Sequence, residues 1–185
     1  MRRILRFDAP DRFIAGAVGE PGQRVFHLQA TEGGRVTAVI VEKSQVAILA
    51  RRIAEMLKDL GEGADIGLPT AGSPLPATSP RLAEPLNAEF RVGTIALAWD
   101  PSLNRLILEF RDDMNEEDAS DAPPPMSDGP DGPDVLRVSL GASAALTFAE
   151  RALQLAAAGR PPCPSCGAPL DATGHRCARK AAYLN

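Results

Sequence analysis

Cys163, Cys166, His175 and Cys177 fall in the last 23 residues of this 185-residue chain, and they include all three of its cysteines and one of its two histidines. The spacing C-x2-C-x8-H-x-C offers three thiolates and one imidazole, the ligand set of a closed tetrahedral zinc site. In such a shell sulfur stands about 2.3 Å and nitrogen about 2.0 Å from the metal, and no position is left for water, so the metal would be structural. The run Pro162-Cys163-Pro164-Ser165-Cys166-Gly167 has the composition of a zinc-knuckle turn, whose backbone amides can point at the sulfurs. Idle thiols beside a surface histidine are the plain alternative. A disulfide framework suits the pattern less, because three cysteines cannot all pair. A redox pair would start a helix after a strand, and Pro161, Pro162 and Pro164 oppose that.

Arg160, Arg176, Arg179 and Lys180 surround these ligands and could meet an acidic partner or phosphates. A solvated charged surface explains the same residues. The formal charge of -4 argues against nucleic acid as the leading partner. Seventeen arginines against three lysines reflect coding bias most simply. Arg24, ending the turn Glu20-Pro21-Gly22-Gln23, and Arg12, in the pair Asp11-Arg12, could hold a small anion, although a hairpin turn with surface arginines is the simpler account. His27 lies on an alternating strand with Val25 and Gln29, where a structural histidine is expected rather than a general base. Trp99, the sole tryptophan, and Phe90 read as core packing.

The usual catalytic constellations are absent from the sequence. It holds no Gly-x-x-x-x-Gly-Lys-Ser/Thr loop, no Gly-x-Ser-x-Gly elbow and no His-Glu-x-x-His pair. A site on a sheet face using Arg91, Glu109 and Arg111 is the enzymatic or anion-binding alternative, and a cross-strand ion-pair ladder is the simpler one.

Apolar periodicity gives the elements that must position these residues. Arg2–Asp8, Arg12–Val18, Arg24–Ala30 and Val36–Glu42 are short apolar or alternating runs, and the last two are divided by Glu32-Gly33-Gly34. Ser44 then offers an N-cap to a helix whose apolar residues run from Val46 to Leu60. Residues 62–80 are rich in glycine, proline and small side chains and read as a long loop. Glu89–Trp99 and Arg105–Arg111 form a hairpin; Leu106, Leu108 and Phe110 face its core, and Glu109 and Arg111 a partly wet side.

Residues 112–134 hold nine carboxylates and no base, and read as a disordered acidic loop. The spacing of Asp128, Asp131 and Asp134 does not match a calcium-binding loop. The rest of the chain has 20 basic and 15 acidic residues, a net of +5. Val135–Leu140 is a strand, and Ala142–Ala158 a helix with Leu146, Ala149, Leu153 and Ala156 on one stripe.

The expected fold is therefore α+β: an antiparallel sheet with two packed helices in residues 1–160, with loops at 62–80 and 112–134, followed by a zinc-knuckle tail over 161–185. Ser44, Ala50 and Arg52 match Ser143, Ala149 and Arg151 at a constant offset of 99, which hints at a duplicated strands-then-helix unit. Three matches among common residues leave coincidence open. No secretory or transmembrane segment is apparent, so a cytoplasmic protein without membrane contact is expected.

Phe13-Ile14-Ala15-Gly16, the Gly19–Arg24 turn, Phe26-His27-Leu28-Gln29-Ala30 and the ending from Cys163 to Cys177 together resemble an uncharacterised actinobacterial family of conserved hypothetical or repeat proteins. The resemblance covers nearly the whole chain and implies no reaction. Ala172 and Ala178 stand where that ending leads one to expect proline. The function expected is that of a non-catalytic zinc-binding protein, an interaction or structural module with an unknown protein partner; nucleic-acid binding through the basic tail is the alternative.

Overall fold

The computed structural model describes residues 2–20, 22–61, 81–112 and 124–158, together with Cys163, Ser165, Cys166 and Cys177. The expected loop at 62–80 and the first part of the acidic loop lie outside these residues.

The first half of the chain runs β1 (Ile4–Phe7), β2 (Arg12–Val18), β3 (Val25–Glu32), β4 (Arg35–Val41) and α1 (Lys43–Asp59). The second half runs β5 (Ala88–Arg91), β6 (Thr94–Asp100), β7 (Arg105–Arg111), β8 (Val135–Gly141) and α2 (Ala142–Ala157). Each half is thus one short strand, a three-stranded meander and a helix. Both meanders are antiparallel throughout.

The short strands change sides. β1 pairs in parallel with β8, and β5 pairs in parallel with β4, giving two four-stranded mixed sheets of order β1-β8-β7-β6 and β2-β3-β4-β5. Each half therefore contributes its first strand to the sheet of the other. The α+β class holds, with two mixed sheets in place of one antiparallel sheet. The duplication suggested by the helix residues is carried by the whole topology.

Sheet exchange also corrects the expected strand Glu89–Trp99. The chain leaves one sheet and enters the other at Val92 and Gly93: Val92 N–H donates to Ile40 O at 2.8 Å, and Gly93 N–H donates to Arg111 O at 2.9 Å. Neither partner is close in sequence, so local periodicity could not mark the break. At α1, Glu42 takes the N-cap position instead of Ser44, and its N–H is accepted by Gln45 Oε1 at 2.8 Å.

Alternation along the strands puts Phe26, Leu28 and Ala30 of β3 and Leu106, Leu108 and Phe110 of β7 into one core shared with both helices. Phe13 of β2 joins the layers, stacking on Phe148 of α2 at 4.6 Å and meeting Phe110 of β7 at 5.9 Å. Phe90 is buried in this core and Trp99 packs at its edge, as expected.

The outer faces of the sheets are covered in part by chain without regular structure. Across β2 and β3 runs the segment 81–85, where Gln29 Oε1 accepts from Ala83 N–H at 2.8 Å and Gln29 Nε2 donates to Ala83 O at 3.0 Å. Gly16 lies below Leu82 so closely that an added Cβ would stand 2.6 Å from Leu82 Cγ. Over β7 and β8 lies the end of the acidic segment, 124–134. Here Met126 N–H donates to Glu109 Oε2 at 3.1 Å, and Arg2 donates to the carbonyls of Ser127, Gly129 and Pro133.

A candidate metal centre at the C-terminal cysteines

The alanine-rich helix α2 leads the chain to the cysteines. Its exit is fixed by Arg24, whose Nη1 donates to Ala158 O at 2.9 Å and so satisfies a carbonyl at the helix end. Beyond it, Cys163 is buried, and Cys166 and Cys177 are half-buried. Ser165 and Cys166 form a tight turn after Cys163, which brings two thiols of the C-x2-C pair to one side.

The three Sγ atoms lie within 4.8 Å of one another. Cys163 Sγ and Cys177 Sγ are 4.0 Å apart, far beyond the S–S length of about 2.05 Å and close to the roughly 3.8 Å edge of a tetrahedron with Zn–S of about 2.3 Å. All three cysteines are free thiols. Backbone N–H groups of Ser165 and Cys166 point at Cys163 Sγ and, with the neighbouring thiols, hold its pKa down at about 7. A thiol so placed readily releases its proton to solvent when a cation binds the sulfur. The geometry could hold a metal ion on three sulfur ligands.

Residues 5–177 match a family profile that embraces both halves of the fold and ends on the last of these cysteines. The chain belongs to the DUF3090 family of proteins of unknown function. Comparison with curated proteins and with solved structures finds no match.

The structure gathers Cys163, Cys166 and Cys177; His175, and the basic residues Arg160, Arg176, Arg179 and Lys180, lie outside the described residues. Arg12 and Arg24, which the sequence offers as anion contacts, stand at opposite ends of the β2–β3 hairpin. Arg12 Nη1 donates to Arg81 O at 3.1 Å, so each guanidinium holds a carbonyl of the chain itself. Arg91 pairs with Glu42 at 2.6 Å, away from Glu109.

The β7 face does not stay wet. Glu109 is fully buried, and its Oε2 accepts from Arg137 Nε at 3.0 Å and Nη2 at 2.7 Å. Arg137 Nη1 reaches Asp128 at 2.5 Å, and Arg6 reaches the other oxygen of Asp128 at 2.7 Å. The hydrogen bonds from Arg6 and Arg137 hold the Asp128 carboxyl at about 2. This chain of charges ties 124–134 to the sheet, and its cross-strand pair is Glu109 with Arg137 of β8, where the expected ladder used Arg91 and Arg111. Arg137 carried no mark in the sequence, because it comes to lie opposite Glu109 only once β7 and β8 are in register. Among the described residues no helix is long and apolar enough to cross a membrane.

Proposed function

We propose that this protein is a non-catalytic zinc protein in which Cys163, Cys166 and Cys177, with His175 as fourth ligand, hold one structural zinc and shape the tail into a protein-interaction module. The observation that carries this reading is the convergence of the three thiols within 4.8 Å after a helix anchored by Arg24. Zinc accepts this set of donors, and a saturated shell supplies folding energy and no open position for a reactant.

Arg176 sits between two of the ligands in sequence, and Arg160, Arg179 and Lys180 flank them. A metal that fixes the backbone around them would present a cationic surface of defined shape, which an acidic groove on a partner protein reads. The test is affinity capture from lysate with the wild type, Cys166→Ser, and a chain ending at residue 160. A partner held by the wild type and lost by both variants supports the reading. Partners held equally by all three would reduce the metal to an internal staple.

A further inference from the structure

Helix α1 and strand β6 enclose a groove of about 700 Å³ that is separate from the cysteine site. Its walls are Ile48, Met56 and Leu60 from the helix and Ile95 and Leu97 from the strand. Ile48 and Leu60 are 57% and 43% exposed, large apolar side chains that the fold itself leaves half open. At one end Gln45 Nε2 donates to the carbonyls of Val92 and Gly93 and pins the helix to the strand.

The duplicated topology shows what this space is in the other half. The equivalent groove lies between α2 and β2, lined by Thr147, Phe148 and Arg151 where the first has Ile48, Leu49 and Arg52, and by Phe13 where the first has Ile95. There Phe13 and Phe148 stack at 4.6 Å, and about 190 Å³ remains. The open groove has Ile95 and Leu49 in those places, and the helix stands off from the strand.

The strand wall is also a sheet edge. β6 is the last strand of its sheet and, among the described residues, pairs only with β7. Its inner face, with Ile95 and Leu97, looks at α1, so a further strand laid along it would drive alternate side chains into the groove. Two carboxylates on the rim, Glu55 and Asp59, face one guanidinium, Arg52, which is held by Glu55 at 3.2 Å. With the negative end of α1 beside Asp59, the rim favours a cation. A second copy of β6 fits poorly, because Thr94–Asp100 holds no base and would add only the carboxylate of Asp100.

We propose that this groove binds an extended apolar peptide of a partner protein, which adds to the sheet beside β6 and places a lysine or arginine near Asp59. Backbone pairing with β6 gives the orientation, and the apolar side chains between α1 and β6 give the affinity. This site stands apart from the metal centre, and either can fail without the other.

The probe is an acetylated hexapeptide alternating valine with threonine and ended by lysine, titrated into the full-length protein. The sole tryptophan, Trp99, lies on β6 and reports occupancy through its emission. Saturable binding with slowed hydrogen exchange of the β6 amides is expected, weakened at least about tenfold by Ile48→Glu, with metal content unchanged. Ile48 is exposed enough for that variant to fold, and circular dichroism checks it. Exchanging the peptide's lysine for glutamate should weaken binding, and methylating alternate peptide nitrogens should abolish it. No saturable binding, or equal binding of the methylated peptide, overturns the proposal. So would dimers that Ile48→Glu dissociates, which make a second copy the occupant, or binding that appears only when residues 62–80 are removed, which makes it this chain.

Discussion

Gln29 and Glu109 occupy the same place in the two halves of the fold, each at the middle of the central meander strand and facing outward. Gln29 stands between Ile14 and Ala38, and Glu109 between Ala96 and Arg137. Both accept a backbone N–H from a covering segment, that of Ala83 and that of Met126. The neutral amide sits beside alanine and the carboxylate beside arginine, so each clamp carries the charge that its neighbour requires. Burying either polar group without its partners would cost more than its hydrogen bonds return.

Glu109→Gln should therefore destabilise the protein by roughly 1 to 3 kcal/mol in urea denaturation, because it leaves the half-buried Arg137 guanidinium with only the exposed Asp128 as counter-ion. Adding Arg137→Ala recreates the Gln29–Ala38 pair of the first half and should recover part of that loss. Additive costs in the double variant would show that the two residues do not act as a pair.

Gly16→Ala tests the other covering segment. An added methyl would meet the branch atom of Leu82, so a loss of about 1 to 3 kcal/mol is expected, with Leu82→Ala restoring much of it. An unchanged Gly16→Ala protein would mean that the segment 81–85 is not held against the sheet.

His27 is buried on the same face, and burial pushes its imidazole pKa below the ordinary 6.5. In the folded state the ring is neutral, whereas the unfolded chain takes up a proton below about pH 6.5. Stability is then lost as pH falls from about 6.5 towards the lowered folded pKa, since the unfolded state binds more protons there. His27→Leu should flatten that part of the stability profile, measured by urea midpoints between pH 7 and 5. A wild-type profile that is flat over this range contradicts the burial argument.

The exchange of β1 and β5 makes the halves depend on each other. Residues 1–80 and 81–185 expressed separately should remain unfolded by circular dichroism and fold when mixed. Independent cooperative folding of either half would show that its own first strand can return to its own sheet.

Much of this was legible in the chain. Alternation in β7 assigned Leu108 inward and Glu109 outward, alternation in β3 put His27 and Gln29 on one face, and the helical stripes of α1 and α2 stood out, because side-chain period is a local property. The parallel pairs were not legible, since Ile4 meets Val135 and Ala38 meets Ala88 across long separations. For the same reason Glu89–Trp99 read as one strand. The acidic run 112–134 reads as solvated throughout from its charge and its prolines, yet Asp128 pairs with Arg6 of β1 and Arg137 of β8, and Asp134 with Arg3 just before β1. Cysteine spacing announced the gathering of the three thiols. The groove beside β6 had no signature, because it arises from how far α1 stands from a strand outside its own half.

The central claim is that the three gathered thiols hold a metal. Native mass spectrometry with elemental analysis of the purified full-length protein measures this directly. One zinc per chain is predicted for the wild type, with its loss in Cys166→Ser and in Cys177→Ser while the far-ultraviolet circular dichroism of the α+β body persists. A wild type without metal, whose three thiols all titrate freely and which gains no zinc on addition, or variants with undiminished zinc, would contradict it.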